Sequence, residues 1–156
     1  MAKASLADLL VPGICGHINR VKPNDAEVER LFRSCCHAAA RDIAGKVAGV
    51  APVEAGRNYH VATIEAPGRE PEAILLHAVL PLVAAAKLAP GEMTFASVRR
   101  LERFFTKTFL VIEPELLEMR WDESQLPTEA LGEQEWYDIN YWEPPRVGDV
   151  VFNRFD

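Results

Sequence analysis

Long hydrophobic runs are absent from this sequence. The longest apolar stretch, AILLHAVLPLVAAA at residues 73–86, contains a histidine and a proline, and it is shorter than the roughly 20 apolar residues that a transmembrane helix needs. The first residues, MAKASLADLLVPGICGH, carry one lysine and an early aspartate, which is not the pattern of a secretory signal. We therefore expect a cytoplasmic protein that does not associate with membranes.

Common catalytic and cofactor-binding motifs are also missing. The sequence contains no Walker loop, no G-x-G-x-x-G, no H-E-x-x-H, no G-x-S-x-G and no EF-hand loop, so nucleotide, zinc-protease, serine-hydrolase and calcium chemistry lack motif support. Cysteine is scarce, and the three cysteines include the neighbours Cys35 and Cys36. An odd count with this spacing predicts free thiols in a reducing compartment. No cofactor is expected.

What the sequence does contain is an ordinary globular composition with an uneven distribution of charge. Of its 156 residues, 49% are hydrophobic and 26% are charged, which predicts one globular domain over residues 1–156. The net charge is −6, yet segment 113–143 alone holds ten acidic residues and one arginine, a net charge of −9. Because such a surface repels phosphates, we expect no nucleic-acid binding.

Two helices are predicted from hydrophobic periodicity. Apolar residues recur at three- and four-residue steps through PNDAEVERLFRSCCHAAARDIAGKVAG, where Asn24 and Glu27 are placed to form a capping box. The pattern predicts a long N-terminal helix over about 24–48, which Gly49 ends. A second amphipathic helix is predicted over about 96–107, where apolar and basic side chains occupy different faces.

A β-hairpin is predicted between these helices, in NYHVATIEAPGREPEAILLHAVL. Two runs rich in β-formers flank a loop of proline and glycine. If the chain turns between Gly68 and Arg69, His60 lies opposite His77 on one face of the sheet. The apolar run 73–86 fits a buried strand and a buried helix equally well, because its periodicity does not separate them.

The C-terminal part is predicted to complete a sheet. FLVIE is typical of a strand, and PELLEM of a helical turn that begins at its proline. Residues 121–134 show little periodicity and predict a loop. EWYDINYW and VGDVVFN, joined by EPPR, predict a C-terminal β-hairpin. The whole order of elements predicts an α+β fold, with a mainly antiparallel sheet packed against the two helices and closed by that hairpin.

Cysteine and histidine supply one candidate site. In GICGH, Cys15 lies between two glycines whose amide groups can approach a ligand, and His17 follows as a possible proton acceptor. Thiol catalysis and a buried structural cysteine both fit this pattern. His60 and His77, if adjacent, could supply two metal ligands or a pair that titrates near neutral pH, with Cys15 or His17 completing a site. Two histidines are fewer than a zinc site requires, so we predict no metal.

The acidic segment supplies the other candidate site. Its aromatic residues stand among carboxylates, and aromatics within a charged surface are good interface anchors. The predicted partner-binding residues are Trp121, Glu133, Glu135, Trp136 and Asp138. Our leading hypothesis is a macromolecule-binding, accessory or inhibitor module that docks a protein with a basic surface. The alternative is a small thiol- or metal-dependent enzyme that uses Cys15 and His17 with the two other histidines.

Overall fold

The computed structural model describes residues 3–16 and 23–155, and within them the chain forms six helices and one open six-stranded sheet. The helices are α1 Leu6–Leu9, α2 Ala26–Arg41, α3 Glu102–Phe105, α4 Pro114–Leu117, α5 Glu133–Trp142 and α6 Val147–Val151. The strands are β1 Lys46–Ala51, β2 Tyr59–Glu65, β3 Glu72–His77, β4 Leu82–Ala89, β5 Glu92–Ala96 and β6 Leu110–Val111. The mixed α+β prediction is confirmed. In the described ranges, no helix is long and apolar enough to cross a membrane.

The central strands of the sheet, β2, β3 and the first part of β4, are buried on both faces. Strands β1 to β5 are antiparallel neighbours in chain order, and β6 pairs in parallel with the start of β4. Leu75 and Ala84 belong to a first core that includes side chains of α1, α4, α5 and α6, whereas Ile74 and Ala85 belong to a second core with α2 and α3. Burial on both faces requires apolar residues at every position, so the ambiguous run 73–86 forms β3 and β4.

The long N-terminal helix is shorter than the sequence predicts. Asp25, not Asn24, is its N-cap, and its carboxylate accepts a backbone hydrogen bond in the first turn. The predicted range 24–48 is wrong at its end, because α2 stops at Arg41 and β1 begins soon after. A Cβ on Gly45 would lie 2.5 Å from the carbonyl oxygen of Glu65. The backbone approach that glycine permits here places β1 beside β2.

The second predicted helix, 96–107, is also mostly wrong. Strand β5 extends through Ala96, and only the single turn of α3 is helical. At the start of the intervening segment the hydroxyl of Ser97 accepts a hydrogen bond from the N–H of Arg99. Such local side-chain bonds offer the backbone an alternative to helix, and the chain turns here before α3.

The predicted C-terminal hairpin is wrong, because both of its proposed strands are largely helical. EWYDINYW lies within α5, and VGDVV forms α6. The buried residues of α5 are Glu135, Asp138 and Ile139, and those of α6 include Val147 and Val150. Three- and four-residue steps are helical spacing. Burial of these faces outweighs the β-propensity of the tyrosines, tryptophans and valines, which is a weak preference.

Candidate functional site

Cys15 is a buried structural thiol. It lies in a turn where Gly16 has a φ of +73°, and a Cβ on Gly16 would come within 2.6 Å of the Cβ of Asn58. The glycines of GICG therefore shape the turn. Burial, and then the nearby charges of Asp138 and Glu135, raise the pKa of the Cys15 thiol well above its ordinary value. A thiol held protonated is a poor nucleophile. His17, its proposed proton acceptor, lies outside the described residues.

A network of buried amides fixes the surroundings of Cys15. The side chain of Asn58 donates from Nδ2 to the carbonyl of Val151 at 2.9 Å, and its Oδ1 accepts the N–H of Asn153 at 2.7 Å. Asn153 in turn donates from Nδ2 to the carbonyl of Cys15 at 3.1 Å. These bonds tie the turn near residue 15 to the segment that follows α6, and they satisfy groups that would otherwise be buried without partners.

His77 belongs to the same buried network. Its Nε2 lies 2.7 Å from the carbonyl oxygen of Ile14, and its Nδ1 accepts the N–H groups of Val79 and Leu80, each at 3.1 Å. These partners define the neutral tautomer with the proton on Nε2. Burial lowers the pKa of His77 to about 4. Both ring nitrogens are therefore occupied by structural hydrogen bonds.

The predicted approach of His60 to His77 is wrong by one residue of register. His60 pairs with Leu76, and His77 pairs with Tyr59. A slip of one residue turns a side chain to the other face of the sheet. His60 lies on the α2 side, where its Nδ1 accepts the N–H of Val53 and is 3.8 Å from Glu29. Burial lowers its pKa despite that carboxylate. Among the described residues, no group of three His, Cys, Asp or Glu side chains could hold a metal.

The five predicted partner-binding residues do not share one surface. Glu133 is exposed, whereas Glu135 and Asp138 are buried. Glu135 accepts the N–H of Gly132 at 3.1 Å and so caps its own helix. Trp121 and Trp136 are partly buried against the first core. Four of the five are therefore buried or partly buried, and the exposed aromatics of this segment are different residues.

Three exposed aromatics, Tyr137, Tyr141 and Trp142, form a continuous row that ends on the partly buried ring of Phe155, and we call this row of four the aromatic track. Tyr137 and Tyr141 are 66% and 67% exposed, and their rings stack with centroids 6.3 Å apart. The next separations are 5.1 Å from Tyr141 to Trp142 and 5.6 Å from Trp142 to Phe155. Soluble proteins rarely expose several large aromatic side chains side by side, and a contiguous apolar surface of this kind is typical of an interaction site.

The aromatic track ends in a groove of about 940 Å³, which we call the C-terminal groove. The β4–β5 turn forms one wall, and residues 142–155 contribute the other, with Trp142 and Phe155 belonging to both features. Arg146 in this groove pairs with Asp149 at 2.8 Å and with Glu118 at 3.1 Å, and these partners raise its pKa. Its charge is therefore neutralised within the protein.

Tyr137 and Tyr141 are the candidate residues that the sequence interpretation missed. They follow Glu133 at successive four-residue steps, which places all three on one face of a helix. That signal is visible in the sequence once α5 is recognised as a helix. The predicted hairpin placed both tyrosines on a strand, and Trp121 and Trp136 were predicted as the interface aromatics instead.

Comparison of this chain with protein-family models, with curated proteins and with solved structures gives no match. Function is therefore inferred from the residues of the chain itself.

Proposed function

We propose that this chain is a macromolecule-binding module, accessory or inhibitory in its role, that docks a protein with a basic surface onto segment 113–143. The observation that carries the proposal is the stacked pair Tyr137 and Tyr141, exposed beside Glu133 on one face of α5. Large, rigid aromatic side chains supply contact area at low entropic cost and are typical energetic centres of interfaces.

The charge of this surface supports a basic partner. Several carboxylates of the segment are exposed and have no ion pair among the residues that the structure describes, namely Glu115, Glu123, Glu129, Glu133 and Glu143. Unpaired charges of one sign steer an oppositely charged partner and reject a similar one. The stacked tyrosines also offer faces on which an arginine or lysine can sit.

The thiol alternative has less support. Catalysis at Cys15 needs a thiolate, and the raised pKa and burial of this residue work against one. The two histidines offered as helpers lie on opposite faces of the sheet. No specific contact of the described residues favours the enzyme over the binding module.

The test is a comparison of variants against a captured partner. The immobilised protein is exposed to an extract of its own cells, the bound protein is identified and purified, and its affinity is measured by calorimetry. We expect Glu129→Lys, Glu133→Lys and Glu143→Lys together to weaken binding at least tenfold, because attraction becomes repulsion. Glu135 and Asp138 stay unchanged, since they are buried and their reversal would disturb α5.

The matched control is Glu65→Lys, an exposed charge reversal on β2 outside the acidic segment. It changes the net charge in the same direction without touching the proposed surface, so we expect little change in affinity. Equal affinities for the triple variant and the wild-type protein would contradict the proposal.

A further inference from the structure

The aromatic track is continuous, and two of its ring pairs are aligned. Its outer pair of rings is nearly parallel, at 10°, and the pair Trp142 and Phe155 is parallel within 1°. Each ring has an aromatic neighbour in the track, which limits the side-chain conformations that a ligand must remove. Pre-organised aromatic surface lowers the cost of binding.

Part of the backbone next to the groove is already paired within the protein. The N–H of Phe95 on β5 already donates to Glu118 Oε1 at 3.1 Å, and the N–H of Trp121 donates to the carbonyl of Pro145 at 2.9 Å. A bound segment therefore cannot extend the sheet at these positions. Where the backbone is already paired, recognition falls to side chains, and aromatic grooves bind polyproline II segments in that way.

The hydrogen-bond donors along the track and the groove also suit a polyproline II segment. Such segments have no internal hydrogen bonds, so their carbonyl oxygens are open to donors. The hydroxyls of Tyr137 and Tyr141 are on the exposed face of α5, and Arg154 lines the groove. None of the three has a side-chain hydrogen bond to another part of the chain that the structure describes. Pyrrolidine rings would lie on the aromatic faces while these donors meet the carbonyls.

The charges beside the track define the flanks of the ligand. Glu92 in the groove and Glu133 and Glu143 near the track are exposed, and within residues 3–16 and 23–155 they have no ion pair. The charge of Arg146 is neutralised by Glu118 and Asp149. Arg154 is therefore the remaining positive charge among the described residues that line the groove. Glu133 lies one turn before Tyr137 and Glu92 lies in the groove at the other end of the track, and carboxylates near both ends favour lysine or arginine at the ends of a bound segment.

We propose that an extended, proline-containing segment flanked by lysine or arginine binds along the aromatic track and into the C-terminal groove. This inference rests on the proposed function and names the element of the partner that the surface recognises.

The test uses a defined probe. A capped, fluorescently labelled peptide with a proline-rich core and two lysines at each end is titrated with the full chain. A second peptide keeps the lysines and replaces the core with glycine and serine. We expect the proline peptide to bind about tenfold more tightly, a difference of about 1.4 kcal/mol. The indole N–H of Trp142 should shift in a two-dimensional NMR spectrum during the titration.

Variants locate the site. Tyr141→Ala and Trp142→Ala should each weaken the proline peptide about tenfold, whereas Trp142→Phe keeps a flat ring and should retain most of the affinity. Melting curves check that each variant is folded, and Glu65→Lys serves as the control. Equal binding of the two peptides, or unchanged binding by Tyr141→Ala and Trp142→Ala, would overturn the inference.

The same data separate this inference from the proposed function. If both peptides bind equally and Glu133→Lys weakens both, the acidic docking surface stands and the proline-specific site is refuted. If neither peptide binds at about 1 mM, the proline-specific site is likewise refuted, and the affinity of the captured partner decides the proposed function by itself.

Discussion

Substitution of Asn58 tests the buried amide network directly. Asn58→Ala removes the donor to the Val151 carbonyl and the acceptor of the Asn153 N–H, which leaves two buried backbone groups without these partners. Each buried group left unsatisfied costs about 1–3 kcal/mol. We therefore expect the free energy of unfolding to fall by about 4 kcal/mol, a large share of the roughly 5–15 kcal/mol typical of a domain.

The assay is urea denaturation followed by fluorescence and by circular dichroism. Asn140→Ala is the matched control, because Asn140 is an exposed asparagine on α5, and surface substitutions usually change stability by less than about 0.5 kcal/mol. The double variant Asn58→Ala with Asn153→Ala should lose more than the sum of the single losses, because both side chains donate to the carbonyl of Cys15 and only the double variant removes both donors. A loss below about 1 kcal/mol for Asn58→Ala would refute the reasoning.

Three further predictions concern pH, packing and reactivity. The pKa of His77 is lowered to about 4 in the folded protein, so the unfolded chain binds the additional proton first as the pH falls. The free energy of unfolding should therefore fall by about 2 kcal/mol between about pH 7 and pH 5. Urea midpoints measured across this range test the prediction, and a flat profile would contradict it. Gly148→Ala should lower the melting temperature by several degrees, since the new Cβ would lie 2.2 Å from the ring of Phe95; a melting curve like that of the wild-type protein would mean that the ring moves freely. Cys15 should react slowly with iodoacetamide at neutral pH because its thiol is buried and protonated. Mass spectrometry of the modified peptides measures the order of reaction, and modification of Cys15 before the other cysteines would contradict the prediction.

Helix and strand types were predictable where one period dominates the sequence. Apolar spacing predicted α2, although its N-cap is Asp25 and not Asn24, and the β2–β3 hairpin follows from β-formers around a proline and glycine loop. The end of α2 was not predictable, because Val47 continues the helical spacing while it belongs to β1. The helix ends where Ala44 adopts a left-handed backbone (φ 54°) and the N–H of Gly45 bonds to the carbonyl of Ala40. Glycine or asparagine usually occupies such a cap position, so alanine there gives no stop signal.

The candidate site was only partly predictable for a related reason. The acidic character of segment 113–143 is a matter of composition, but composition does not say which of its aromatics are exposed. The choice of aromatics required the helical phase of α5, which exposes Tyr137 and Tyr141 and turns Trp136 towards the first core. The His60 and His77 hypothesis failed because a long hairpin loop does not fix register.

The hydrogen bond between Asn153 and the carbonyl of Cys15 joins residues 138 positions apart. Strands β1 to β5, by contrast, pair with their neighbours in chain order. During synthesis the nascent sheet can therefore assemble while α6 and Asn153 are still inside the ribosome. Until they emerge, one face of that sheet lacks its cover and the turn at Cys15 lacks its amide partners. A ribosome-stalled chain that stops before α6 should accordingly be a chaperone client, and release of the remaining residues should end that dependence.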